Sequence, residues 1–132
     1  MSDPAPEPVL VERTGAVATV TLNVPPHNPM GMAMIDRLET LFPELGADST
    51  VRAIVLTGAG DRTFSVGANI AEFGTALEKM SLKEFIDQRL RVMDRVEKLP
   101  KPVICAIRGA CVGGGLEIAL SCHFRIAAEG AR

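Results

Sequence analysis

The residues with the clearest chemical potential lie in "GACVGGGLEIALSC", positions 109–122. Gly113, Gly114 and Gly115 stand directly before an apolar run with helical spacing, and Glu117 follows two positions after the last of them. Glycine lets backbone N–H groups approach a ligand with no Cβ in the way. The first N–H groups of a helix have no intrahelical partner, and the helix dipole adds partial positive charge there. Such a place suits a negative oxygen: a phosphate, a carboxylate or an oxyanion developing on a carbonyl. Glu117 falls in the first turn, beside whatever those N–H groups bind. A carboxylate next to an oxyanion site is an arrangement for moving protons beside a carbonyl. A plainer reading of the same residues stays open. Glutamate in a first turn also favours the dipole, and a glycine triplet also permits close strand–helix packing.

Other motifs carry less. "IVLTGAGDRT" (54–63) runs a strand into G-x-G, which invites a dinucleotide reading. That fingerprint needs a third small residue opening a helix. Thr63 stands there and Phe64-Ser65-Val66-Gly67 has no helical pattern, so a strand-ending turn is the better reading. No Gly-Lys-Ser/Thr follows residues 109–115, which excludes a Walker loop, and no G-x-S-x-G nucleophile elbow occurs. Cys105, Cys111 and Cys122 are an odd set in apolar surroundings without CxxC spacing. They read as reduced core thiols in a cytosol-like compartment. His27 and His123 are far apart with no ligand pattern, so no metal site is expected.

These residues need elements to position them. "VLVERTGAVATVTLN" (9–23) alternates on both sides of Thr14-Gly15, a β-hairpin signal. "VPPHNP" (24–29) is a loop. Met34, Ile35, Leu38, Leu41, Phe42 and Leu45 recur at helical spacing, and Pro43 is expected to end or kink that helix. Residues 51–58 form a short apolar strand and 61–75 a loop. Ser81 and Glu84 form a capping box for a second helix with Leu82, Phe85, Ile86, Leu90, Met93 and Val96 on its apolar face, stopped by Pro100. Residues 102–107 are a buried strand, 115–122 a helix and 124–128 a further strand. Strands alternating with helices predict an α/β fold with a parallel sheet.

The chain has 132 residues, 47% apolar and 23% charged, which suits one globular domain or part of one. No apolar run approaches the roughly 20 residues of a membrane span, so no membrane association is expected. With net charge -2, no Trp or Tyr and no basic cluster, nucleic acid is not an expected partner. "MSDPAPEPV" has no basic or apolar leader region. Residues 1–8 are expected to be a disordered tail, and 9–132 the domain. "RIAAEGAR" offers no final cap or element, and a sheet ending there exposes an edge. A fragment or truncated gene product is therefore expected.

Three segments together resemble the enoyl-CoA hydratase/isomerase (crotonase) superfamily: "PPHNPMGMAMIDRL" (25–38), "VRAIVLTGAGDRTFSVGANIAEF" (51–73) and "LPKPVICAIRGACVGGGLEIALSCHFRIAAE" (99–129). They follow in family order over nearly the whole chain, and match the family's N-terminal half. The resemblance implies a crotonase-like ββα spiral, incomplete at its C-terminus, and acyl-CoA thioester substrates. It implies that the N–H groups of Ala68 and Gly114 polarise the thioester carbonyl, and that Glu117 is a catalytic acid–base residue. It also implies that backbone around Val66 and Ala68 contacts CoA. No cofactor is implied beyond the CoA carried by the substrate. The activity it points to is hydration of trans-2-enoyl-CoA to 3-hydroxyacyl-CoA in fatty-acid β-oxidation or a related pathway. Another crotonase reaction (isomerisation, decarboxylation or thioester hydrolysis) and a non-catalytic fragment are the alternatives. The N-terminal piece of a multifunctional β-oxidation protein is a further possibility. It implies that this protein is cytoplasmic and, at full length, a homo-oligomer, a trimer or hexamer. The sequence departs from the family at Asn69 and His123, where aspartate is usual. Asn69 can still cap a helix, and His123 is assigned no catalytic role. A second catalytic glutamate is expected beyond residue 132.

Overall fold

The computed structural model describes residues 2–132; Met1, part of the expected tail, lies outside the described residues. The hairpin forms as β1 (Val9–Thr14) and β2 (Val17–Leu22), antiparallel and turned at Gly15, whose φ is 59°. Ala18, Val20 and Leu22 of β2 are buried, matching the period-2 pattern. Beside the hairpin lie β4 (Ala53–Gly58), β7 (Val103–Ile107) and β9 (Phe124–Ala127), all parallel to β2, in the order β1-β2-β4-β7-β9.

Between these strands the chain lays down short ones that pair among themselves. β3 (Pro29–Met30) runs parallel to β6 (Gly67–Ala68), and β5 (Thr63–Ser65) runs parallel to β8 (Ala110–Cys111). Helices α1 (Met32–Ala47), α2 (Phe73–Lys79), α3 (Leu82–Glu97) and α4 (Gly114–Ser121) complete the repeating long strand, short strand, helix pattern. The α/β fold with a parallel sheet is the one expected.

The apolar stripe of α1 is buried at every expected position: Met34, Ile35, Leu38, Leu41, Phe42 and Leu45. Pro43, however, lies inside α1 and does not end it. Proline has no N–H for the carbonyl of Glu39, one turn back. Arg95 of α3 donates to that carbonyl in its place. Arg91 and Arg95 also pair with the Glu39 carboxylate, at 3.2 and 3.7 Å, so the helix is repaired from its neighbour.

The loop expected over residues 61–75 is instead structured. It holds β5, β6, a 3-10 turn at Ile70–Glu72 and the start of α2, which was not expected. Segments of two or three residues are too short to show a period. Helix α3 has the expected capping box: Glu84 N–H donates to Ser81 Oγ at 3.2 Å and Ser81 N–H to Glu84 Oε2 at 2.9 Å. Its buried face matches expectation at Phe85 and Val96 and adds Val92, whereas the expected Leu82, Ile86 and Leu90 are exposed. Among the described residues no helix is long and apolar enough to cross a membrane.

Candidate active site

The segment after β4 is tied down by one buried side chain. Asn28, with no exposed surface and φ 48°, sits in the loop leading to β3. Its Nδ2 donates to the carbonyls of Ala59, Thr63 and Phe64 at 3.0, 3.0 and 3.2 Å, and its Oδ1 accepts from Val24 N–H at 3.1 Å. Each end of the amide is used, which is what burial of a polar group requires. Replacing Asn28 by Ala is expected to lower stability by about 3 kcal/mol, since several buried partners lose their bond together. The urea midpoint at unchanged slope measures it.

Beyond β5 the chain turns through Gly67, whose φ of 90° suits glycine. A Cβ on Gly67 would land on the backbone nitrogen of Gly114. A Cβ on Gly115 would likewise strike the carbonyl of Ser65. Gly67 thus lets β6, and Gly115 lets β5, meet the start of α4 backbone against backbone. The glycine triplet serves close packing and an open N-terminus at once, so the two readings of its sequence are not exclusive.

Within α4 the N–H groups of Gly115 and Leu116 donate to Val112 O at 3.0 and 3.3 Å, and that of Glu117 to Gly113 O at 3.1 Å. Among the described residues, none accepts from the N–H of Gly114. The point a Gly114 Cβ would occupy lies 3.7 Å from the nitrogen of Ala68 and 3.8 Å from Glu117 Oε2. Ala68, Gly114 and Glu117, which are up to 49 residues apart in sequence (117 − 68), thus surround one small volume. Glu117 is exposed, and among the described residues no group donates to its carboxylate.

Val66 and Ala68 line a cavity of about 420 Å³ with His27, Pro29, Asn69, Ile70 and Ala71. Asn69 Oδ1 accepts from Ala71 N–H at 3.2 Å and caps the 3-10 turn, as its type allows. Glu72, at the end of that turn, accepts from Met32 N–H at 2.9 Å and so fixes the segment to the N-terminus of α1. Sequence reasoning missed Asn28, Ser65 and Glu72 as positioning residues. Asn28 had a usable signal, an Asn within a proline-rich loop; Ser65 and Glu72 had none.

His123 stands apart from this site. Its Nδ1 accepts from Val103 N–H at 2.9 Å and its Nε2 lies 2.9 Å from Glu97 O. It joins the end of α3 to the start of β7. The three cysteines are free and buried. The adjoining Cys122 thiol, and then burial, push the Cys105 thiol well above its ordinary range; burial also raises Cys111. Such thiols are inert as nucleophiles. Among the described residues no group of three His, Cys, Asp or Glu is placed to hold a metal ion.

Comparison with known proteins agrees with the fold. The family model described as Enoyl-CoA hydratase/isomerase matches residues 12–132. A probable enoyl-CoA hydratase of Bacillus subtilis (strain 168) is 40% identical over 116 residues, covering 88% of this chain and 45% of that protein. A short-chain-enoyl-CoA hydratase of Clostridium acetobutylicum is 39% identical over 125 residues, 94% of this chain and 48% of its own length. The crystal structure of an enoyl-CoA hydratase/carnithine racemase from Magnetospirillum magneticum superposes with a TM-score of 0.87 at 38% identity, over 96% of this chain and 48% of that one. The chain spans about half the length of these relatives. With the spiral of long strand, short strand and helix, and with a family match over nearly its whole length, the chain belongs to the enoyl-CoA hydratase/isomerase (crotonase) family.

Proposed function

We propose that this chain carries the carbonyl-polarising half of an enoyl-CoA hydratase site, together with one acid–base carboxylate. The observation that carries the reading is the convergence of Ala68 N, the Gly114 backbone and Glu117 Oε2 on one point. The thioester carbonyl oxygen of a trans-2-enoyl-CoA accepts hydrogen bonds from the N–H groups of Ala68 and Gly114. Those bonds draw electron density from the conjugated double bond, so Cβ becomes electrophilic. Water adds to Cβ, and negative charge collects on the thioester oxygen as an enolate. Each fixed donor is worth about 2.7–4 kcal/mol at that stage. Glu117 exchanges the proton that water loses or that Cα gains, with a second carboxylate supplied from sequence beyond residue 132. The product is 3-hydroxyacyl-CoA. No cofactor takes part other than the CoA carried by the substrate, which lies along Val66 and Ala68. The free buried cysteines support a reducing, cytoplasm-like compartment. Homo-oligomer formation is part of the same reading, and sedimentation tests it.

The test adds crotonyl-CoA to the chain extended through the second carboxylate and follows binding and the conjugated enoyl-thioester absorbance. Loss of absorbance with appearance of 3-hydroxybutyryl-CoA is the expected result. A chain that neither binds crotonyl-CoA nor consumes it would sink the reading.

A further inference from the structure

We propose that Ser65 is a positioning residue that sets the spacing of the two oxyanion donors; this rests on the reading of Ala68 and Gly114 as those donors. Ser65 has no exposed surface. Its hydroxyl donates to the carbonyl of Asn28 at 2.7 Å and accepts from Gly67 N–H at 3.0 Å. A serine hydroxyl has one proton and two lone pairs. With the proton committed to Asn28, a lone pair is turned toward Gly67. The Gly67 N–H is thereby fixed, and with it the Val66–Gly67 peptide plane, one peptide before the unit that carries the Ala68 N–H.

The same residue reaches the other donor. Its carbonyl accepts from Val112 N–H at 3.2 Å, just before the glycine triplet. Its Cβ lies 2.9 Å from the point a Gly115 Cβ would occupy. Ser65 therefore touches β6 through its hydroxyl and the α4 entrance through its carbonyl. Asn28, the acceptor behind it, cannot drift, because its own amide is bonded at both ends. A buried chain of bonds runs from Asn28 through Ser65 to Gly67, and members of such a chain polarise one another.

Two readouts test this on Ser65→Ala. The first is amide hydrogen exchange at Gly67 in the free protein. It is expected to quicken roughly tenfold, as for loss of one buried hydrogen bond, with β4 amides unchanged. The second uses acetoacetyl-CoA, whose acidic Cα lets a donor pair draw out an enolate with its own near-ultraviolet band. At saturating ligand the enolate band is expected to fall at least threefold, more than any change in Kd. Ser65→Cys, of nearly the same size and a weaker partner, is expected to fall between the two, and serves if Ser65→Ala does not fold. Unchanged Gly67 exchange with an unchanged enolate band would overturn the proposal. No enolate band in the unsubstituted chain would overturn the donor pair itself, and Gly67 exchange would then decide alone whether Ser65 holds this loop.

Discussion

A Glu117→Gln protein is expected to bind crotonyl-CoA as before and to hydrate it roughly 10²–10⁴-fold more slowly, the usual contribution of a positioned acid–base group. Glutamine keeps the size and the polar tip of glutamate but exchanges no proton near neutral pH. The side chain is exposed and accepts no hydrogen bond from the described residues, so little folding energy depends on it. That makes the comparison clean. If Glu117 served only to favour the dipole of α4, the substitution would lower the melting temperature slightly and leave turnover alone. If it carries protons, the melting temperature stays and turnover collapses. Enoyl absorbance and a thermal scan on the same preparation separate the two.

Gly67→Ala is the second large effect. Its Cβ would fall on the nitrogen of Gly114, and the backbone there has φ 90°, a region that L-residues rarely adopt. Relief of the collision separates β6 from α4 and pulls the two donors apart. Loss of one oxyanion donor costs about 10²–10³ in turnover, and misplacing both is expected to cost at least that. Gly60→Ala is the control. Gly60 also has a positive φ, 80°, but nothing lies within 4 Å of its missing Cβ. It suffers strain of about 1–3 kcal/mol without the collision. A loss of turnover in Gly67→Ala that Gly60→Ala shares in equal measure would point to general instability, and would remove the case for this close approach.

Much of the fold was legible because its main strands and helices are long enough to carry a period. The stripe of α1 from Met34 to Leu45, the hairpin alternation and the Ser81/Glu84 capping box each depend on residues within one element. What was not legible depends on partners far away in sequence. Pro43 looks like a helix terminator until Arg95 is seen donating to the carbonyl that it leaves free. The strands β5 and β6 exist because β8 and β3 lie beside them, and nothing in three residues foretells that. Helix α3 shows the converse. Its periodicity marked Leu82, Phe85, Ile86, Leu90, Met93 and Val96 as one apolar face, yet the fold covers Phe85 and Val96 and leaves Leu82, Ile86 and Leu90 exposed. Periodicity identifies an apolar face and does not say how much of it meets a neighbour. At the candidate site, Gly114 and Glu117 suggested an oxyanion site beside a carboxylate and the resemblance added Ala68; the fold brings the three together. The supports, Asn28 and Ser65, act mainly on backbone groups, which look the same in any sequence.

Gly114 and Glu117 ride on one helix, three residues apart, whereas Ala68 belongs to a strand on another turn of the spiral. A tilt or slide of α4 as a rigid rod would carry the first two together and preserve their separation. The gap across to Ala68 would change instead. Motion in this region would thus act as a gain control on the proposed carbonyl polarisation, with Glu117 left in register with its own helix end. Relaxation dispersion on the Ala68 and Gly114 amides would report such breathing on the microsecond-to-millisecond scale.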